Sequence, residues 1–461
     1  MNTDINNSTD SRRKFIKLIG GGAIATTAAL TISCNTEESP KHKVFNKNMK
    51  FGEMTYHISP KSGDKISLLA YGAMRLPRMI KEDSPDKEEI IDQEAVNDLF
   101  DYAIEHGVNY FDTSPVYCKG LSEEAVGKAL SRHPRDKYFV ATKLSNFANP
   151  TREDSLAMYH ESFKSLQVDY IDYYFLHALG EYDKYKERYV DNGMMDFLKA
   201  EKKAGRIRNL GWSFHGQKEF FDYMMFDSGV EWDFVMIQLN YFDWEMVQGT
   251  TNVNAKYLYD VLEQRKIPAM IMEPLLGGRL ANPNYKAQEI MKRIDPEESF
   301  ASWAFRFAGS LPNVLTILSG MMFKEHIQDN LHTFSPLKPL NDKEKQALSK
   351  VVQTMIEFKS IICTGCNYCM PCPYGIDIPG IFSHYNKCLE EGNFPDNPQS
   401  ENYKKARQAF LIGVDRSVPK LRQANHCIAC GKCVKHCPQK IRIPKEMRNI
   451  DEFVEKLKTQ V

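Results

Sequence analysis

The sequence predicts an α/β protein: a (β/α)8 TIM barrel followed by a small, mostly helical C-terminal domain. Two observations carry this prediction. Between residues 51 and 336, short apolar runs alternate with longer amphipathic segments eight times, which is the pattern of a closed parallel barrel. From residue 340 to residue 461 the chain changes character and gathers eight cysteines into two compact runs.

The expected strands cover residues 66–72, 109–112, 138–143, 170–177, 209–213, 234–239, 269–273 and 314–318. A hairpin formed by 54–58 and the segment after Lys61-Ser62-Gly63-Asp64 precedes the first of them and is placed to close the N-terminal mouth. Helices are expected between the strands. Residues 94–106 carry Ala95, Leu99, Tyr102, Ala103 and His106 at helical spacing and stop at Gly107, a natural C-cap. Segments 122–132 and 254–266 follow the same logic, and Trp303, Phe305 and Phe307 belong to a helix that packs on the barrel. Cys118 and Cys388 read as small core thiols.

In the C-terminal region Cys363, Cys366, Cys369 and Cys372 precede Pro373, and Cys427, Cys430, Cys433 and Cys437 precede Pro438. The second run is C-x2-C-x2-C-x3-C-P, the bacterial ferredoxin spacing, in which the fourth sulfur ligates the neighbouring cluster. The first run has only Met370 and Pro371 before its last cysteine. Two [4Fe–4S] clusters are therefore expected, one on Cys363, Cys366, Cys369 and Cys437, the other on Cys427, Cys430, Cys433 and Cys372. Paired C-x-x-C units also build tetrahedral zinc sites, but the third cysteine and the proline in each run favour iron and sulfide. Helices at 343–358, 381–391 and 403–414 make this a helical iron–sulfur domain. Ile376-Asp377-Ile378-Pro379 and Ile441-Arg442-Ile443-Pro444 follow the two runs at similar offsets, a weak internal repeat.

Lys plus Arg and Asp plus Glu both number 60 in the 461 residues, so no global field favours nucleic acid. Residues 1–34 read as a targeting segment, since Ser11-Arg12-Arg13-Lys14-Phe15-Ile16-Lys17 precedes a weakly apolar stretch to Ile32. This is similar to a twin-arginine export signal. Thr31-Ile32-Ser33-Cys34 is a loose lipobox, which would anchor the mature protein to a membrane through a lipid on Cys34. Export to the periplasm or cell envelope is expected, by a route that carries folded, cluster-loaded proteins.

Chemistry in a barrel belongs at the C-terminal ends of the strands. Asp112, Lys143 and His177 end three consecutive runs, and Tyr117 follows Asp112 by five residues. Each has a dull explanation alone; together, at one end of adjacent strands, they form a constellation.

In Phe111-Asp112-Thr113-Ser114-Pro115-Val116-Tyr117, Ala141-Thr142-Lys143 and Leu176-His177 the chain resembles the aldo-keto reductase family over about residues 51–334. Its C-terminal part resembles a subgroup that appends a ferredoxin-like segment to such a barrel. The resemblance implies an oxidoreductase using NAD(P)H on a small carbonyl or alcohol, conceivably sugar-like. Tyr117 would donate the proton, Lys143 lower its pKa, Asp112 hold the lysine, and His177 bond the carbonyl oxygen. The implied cofactor set is Gly72, Asp112, Ser213, Gln238, Met272, Pro274, Leu275, Ser319, Gly320, Lys324, Gln328 and Asn330. Gly320 and His326 stand where basic residues would clamp a 2′-phosphate, leaving Lys324 as the nearby fixed cation, so preference for NADPH is expected to be weak. The clusters would relay electrons to or from an envelope redox partner. The alternative is a non-autonomous electron-transfer subunit whose barrel is a binding scaffold.

Overall fold

The computed structural model describes residues 49–81, 89–246, 252–357, 360–437 and 439–459. The expected export signal, Cys34 and Pro438 lie outside the described residues.

Strand β1 (Tyr56–Ile58) pairs antiparallel with β2 (Lys65–Ser67), giving the expected hairpin. The chain then enters β3 (Leu69–Gly72), the first barrel strand. The single strand expected over 66–72 is thus broken at Leu68. Ser67 causes the break: its amide donates to Asn109 Oδ1 at 2.8 Å and its hydroxyl to the Leu69 carbonyl at 2.7 Å, so side chains replace the ladder there. A second hairpin, β4 (Arg78–Ile80) with β5 (Glu89–Ile91), stands off the barrel and was not expected.

The remaining strands are β6 (Tyr110–Asp112), β7 (Phe139–Leu144), β8 (Ile171–Leu179), β9 (Ile207–Phe214), β10 (Val235–Gln238), β11 (Ala269–Met272) and β12 (Val314–Ser319). With β3 they close a barrel in sequence order, every neighbouring pair parallel. Inward side chains fill it, among them Ile66, Tyr110, Tyr173, Phe175, Phe234, Met236 and Met270. At the bottom, Asp64 from the hairpin accepts from Tyr173 Oη and from Arg208, both at 2.8 Å, and Asp172 accepts from Arg208 at 2.9 Å. The hairpin therefore does close the N-terminal mouth, with a satisfied polar layer under an apolar interior.

Helices Gln93–Glu105, Ser122–Leu130, Ala255–Gln264 and Phe300–Gly309 lie outside the barrel. Asp92, Asn254 and Ser299 cap three of them by accepting a backbone N–H. Trp303 and Phe305 are fully buried, as expected of a helix packed on the barrel. Helix Asp342–Glu357 begins in a reciprocal box in which Asn341 and Glu344 each accept the other's amide. It packs through Leu348, Val351 and Met355 against Ala287, Met291 and Trp303, and Glu344 pairs with Arg306 at 2.8 Å in a buried ion pair. The boundary expected near 340 therefore falls before a helix that packs on the barrel.

A separate core unites helices Ile378–Glu390, Tyr403–Ser417 and Ile443–Thr459 around Phe382, Phe410, Met447 and Val454. The two members of the internal repeat open the first and last of these helices, each with proline in its first turn. The last helix was not expected. Among the described residues no helix is long and apolar enough to cross a membrane.

Adjacent barrel strands tolerate little added volume. A Cβ on Gly211 would lie 2.4 Å from the Phe234 carbonyl oxygen and 2.5 Å from its ring. Gly211→Ala is expected to destabilise the barrel by about 1–3 kcal/mol, read as a lowered denaturation midpoint; an unchanged midpoint would contradict this packing.

Candidate active site and cysteine loops

The four candidate catalytic residues meet at the C-terminal mouth. Asp112 ends β6, Lys143 lies next to the end of β7, His177 lies near the end of β8, and Tyr117 opens the turn Tyr117–Gly120. Lys143 Nζ donates to Asp112 Oδ1 at 2.5 Å and to the Thr113 carbonyl at 2.8 Å. The side chains of this ion pair are 1% and 2% exposed, so each charge depends on the other. Burial pushes Asp112 up and Lys143 down, and each opposes the other's shift. The second carboxylate oxygen, Asp112 Oδ2, is buried without a hydrogen-bond partner among the described residues.

The Lys143 ammonium lies 4.9 Å from the centre of the Tyr117 ring, and the Tyr117 and His177 rings are 5.8 Å apart, edge to face. The phenol stays protonated well above its ordinary range, first through burial and then through the negative neighbours Asp112, Tyr368 and Glu273. The net shift is upward although Lys143, expected to lower it, lies beside the ring; its charge is paired with Asp112. A protonated phenol is the form that donates to a carbonyl oxygen.

His177 is held neutral by burial, helped by Lys143, Arg188 and His215. Its Nδ1 lies 2.6 Å from Ser145 Oγ and 3.4 Å from Ser114 Oγ. A serine hydroxyl donating to Nδ1 would leave Nε2 as the N–H donor. Tyr189 Oη accepts from the His177 amide at 3.1 Å and fixes the strand end. Ser114 and Ser145 went unread in the sequence because lone serines carry no spacing signal.

Several residues at this mouth adopt left-handed backbone despite carrying side chains: Cys118 (φ 51°), Lys119 (φ 59°), Ala178 (φ 49°) and Glu273 (φ 51°). Such conformations persist only where the surroundings impose them, and they gather at functional sites. Cys118 itself is buried in the core, as expected.

The expected cofactor residues divide into two groups. Gly72 pairs in register with Asp112 and approaches Ser319, and a Cβ on Gly320 would meet only the Gly72 carbonyl at 3.9 Å. A strip bare of side chains thus borders the orphaned Asp112 Oδ2, and half-buried Met272 ends β11. A nucleotide hydroxyl beside that carboxylate fits this arrangement. Other members already have protein partners. Ser213 Oγ accepts from the Ala178 amide, Gln238 Nε2 donates to Asp243 and Asn330 Nδ2 to Ser319 Oγ. Gln328 donates to Tyr102 Oη, and Lys324 lies 3.3 Å from Asp98. Pro274 and Leu275 continue the chain from Glu273 into the turn Leu276–Gly278.

The cysteine loops sit over this same mouth. Arg75 donates to the carbonyls of Thr364 and Gly365 at 3.0 and 3.1 Å, and Arg279 to Ser360 Oγ at 2.7 Å. Gly277 meets Thr364 so closely that a Cβ there would fall 2.4 Å from the threonine Cβ. Gln439, beyond the second run, donates to Glu273 at 3.5 Å. The sulfurs fall into crossed sets. Cys369 is pushed up to about 12 by burial and by Cys363, Cys366 and Cys437, whereas Cys433 is raised by burial and by Cys427, Cys372 and Cys430. Cys372 is thus among the neighbours whose charge acts on Cys433. Cysteine thiolates in these two runs are the donor type that iron–sulfur clusters take.

Residues 69–353 match the Aldo/keto reductase family, and residues 362–441 match a 4Fe-4S dicluster domain. The chain belongs to the aldo/keto reductase family. This aldo-keto reductase is 34% identical over 124 residues to D-arabinose 1-dehydrogenase of Saccharomyces cerevisiae, covering 25% of this chain and 33% of that enzyme. The chain thus spans about a third of that relative's length. It is 24% identical over 280 residues to the uncharacterized oxidoreductase YqkF of Bacillus subtilis, covering 54% of this chain and 85% of that protein. Over 157 residues it is 29% identical to L-galactose dehydrogenase of Arabidopsis thaliana, covering 32% of this chain and 45% of that enzyme. Among solved structures, the holo form of an aldo-keto reductase from Bacillus halodurans superposes with a TM-score of 0.52 at 21% identity, covering 65% of this chain and 96% of that one. The aldo-keto reductase is accordingly an oxidoreductase with a C-terminal iron–sulfur domain.

Removing one member of the buried pair leaves an uncompensated charge. Lys143→Met is expected to cost about 3–5 kcal/mol of folding stability in denaturant titration. Adding Asp112→Asn should recover part of that loss, and a strictly additive double variant would contradict the coupling.

Proposed function

We propose that this protein is an exported, NAD(P)H-dependent reductase of small, sugar-like carbonyl compounds, running in reverse as an alcohol dehydrogenase, with two [4Fe–4S] clusters that exchange electrons with an envelope partner. The observation that carries the reading is the meeting of Asp112, Lys143, Tyr117 and His177 at one mouth, beside the unpartnered Asp112 Oδ2. Asp112 would position Lys143 and receive a nucleotide hydroxyl, with Gly72, Gly320 and Met272 bordering the ring. When bound, the reduced nicotinamide supplies hydride.

Tyr117 then donates its proton to the oxygen that becomes negative, and His177 bonds the same oxygen. Reduction draws on the protonated phenol, and the reverse oxidation returns a proton to the phenolate. Lys324 lies beside Asp98, which supports use of either nicotinamide nucleotide over a strict demand for a 2′-phosphate. The sugar-like substrate is supported by the names of two relatives, D-arabinose 1-dehydrogenase and L-galactose dehydrogenase. Export rests on Arg12-Arg13 and the apolar stretch after it, and membrane attachment on a lipid at Cys34.

Tyr117→Phe tests the assignment. The variant should lose about 10²–10⁴-fold in carbonyl reduction while keeping wild-type iron and sulfide. Full activity in the variant would sink the reading and favour the electron-transfer scaffold.

Glu273 adds a pH signature. It is raised to about 7, first by burial and then by Asp243, so it is neutral below that pH and anionic above it. Its charge raises the Tyr117 phenol further and makes it a weaker acid. Carbonyl reduction, measured as kcat/KM, should therefore fall as pH rises through about 7. Glu273→Gln should remove that inflection.

A further inference from the structure

Two arginines of the barrel mouth grip the first cysteine loop. Arg75, in the turn after β3, bonds the carbonyls of Thr364 and Gly365, the two residues that follow Cys363. Arg279, after the turn Leu276–Gly278, bonds Ser360 with one terminal nitrogen. Its other terminal nitrogen, Nη1, is enclosed with no hydrogen-bond partner among the described residues, and its charge acts on Glu390 and Asp243 and, more weakly, on Cys363. The cations beside the second set are different in kind, since Lys432 and Lys435 are exposed to water, which screens them.

A [4Fe–4S] cluster that accepts one electron becomes one unit more negative, and no bond forms or breaks. A nearby cation in a water-poor interface stabilises the reduced form more than the oxidised one, and more strongly than a solvated lysine does. We propose that Arg279, assisted by Arg75, sets the reduction potential of the cluster on Cys363, Cys366, Cys369 and Cys437, making it the more readily reduced of the two. An electron entering the domain then rests on the side facing the barrel. The inference rests on the two-cluster reading above, and iron and sulfide measured on the same samples separate failure of that reading from failure of this one.

The test is an anaerobic redox titration of the full chain with a low-potential chemical reductant, each cluster followed by its electron paramagnetic resonance signal. Arg279→Gln should make one cluster about tenfold harder to reduce, a shift of about 59 mV for one electron, and leave the other unchanged. Arg279→Lys should restore most of that shift, because it keeps the charge. Arg75→Gln should move the same signal in the same direction by less, because Arg75 is exposed. Unshifted signals at full iron content, or equal shifts of both, overturn the proposal. If Arg279→Gln binds less iron, Arg75→Gln at full iron content decides by the same criteria.

Discussion

The mouth of this protein is organised by one buried ion pair, Lys143 with Asp112, placed inside the end of a closed barrel. An ammonium and a carboxylate taken out of water are tolerated only when they meet at short range and their remaining bonds are filled. The Thr113 carbonyl fills one of those bonds on the lysine side. The carboxylate keeps an oxygen without a hydrogen-bond partner among the described residues. The lysine charge is matched within the pair, and burial together with the neighbouring anions holds the Tyr117 phenol above its ordinary range. The serines behind His177 orient a neutral ring.

The second constraint is the seat of the first cysteine loop on the same mouth. Thr364 against Gly277, the two arginine contacts and the Gln439–Glu273 bond bring the iron–sulfur domain to the face where carbonyl chemistry would occur. Tyr368, from within that loop, is close enough to affect the charge state of Tyr117. A hydride carries two electrons and a cluster takes one, so adjacency alone does not make a wire. It does place Glu273 and Tyr368 where both centres would feel them.

Much of this was legible in the chain. All eight barrel strands follow from apolar runs, with boundary errors of a residue or two at most places, because parallel strands buried on both faces leave continuous apolar signals. The hairpin β4–β5 did not, since its residues are largely exposed and carry no alternation. The helix Ile443–Thr459 was read only as far as its opening repeat, Ile441-Arg442-Ile443-Pro444. In the site, Asp112, Lys143 and His177 were legible because each lies at or near the end of a strand. Ser145, Glu273, Arg75 and Arg279 were not, because their partners are far away in sequence.

The sequence by itself determined the barrel, its four candidate catalytic residues and the two cysteine runs, since each is written in local periodicity or spacing. Only the tertiary structure decided the surroundings of those residues and which charges act on them. Those depend on burial and on distances between segments 61 to 156 residues apart: Cys372 with Cys433, Arg279 with Cys363, Glu273 with Tyr117. A Coulomb interaction is set by separation in space and by the water excluded around it, and neither quantity is written in the order of the chain.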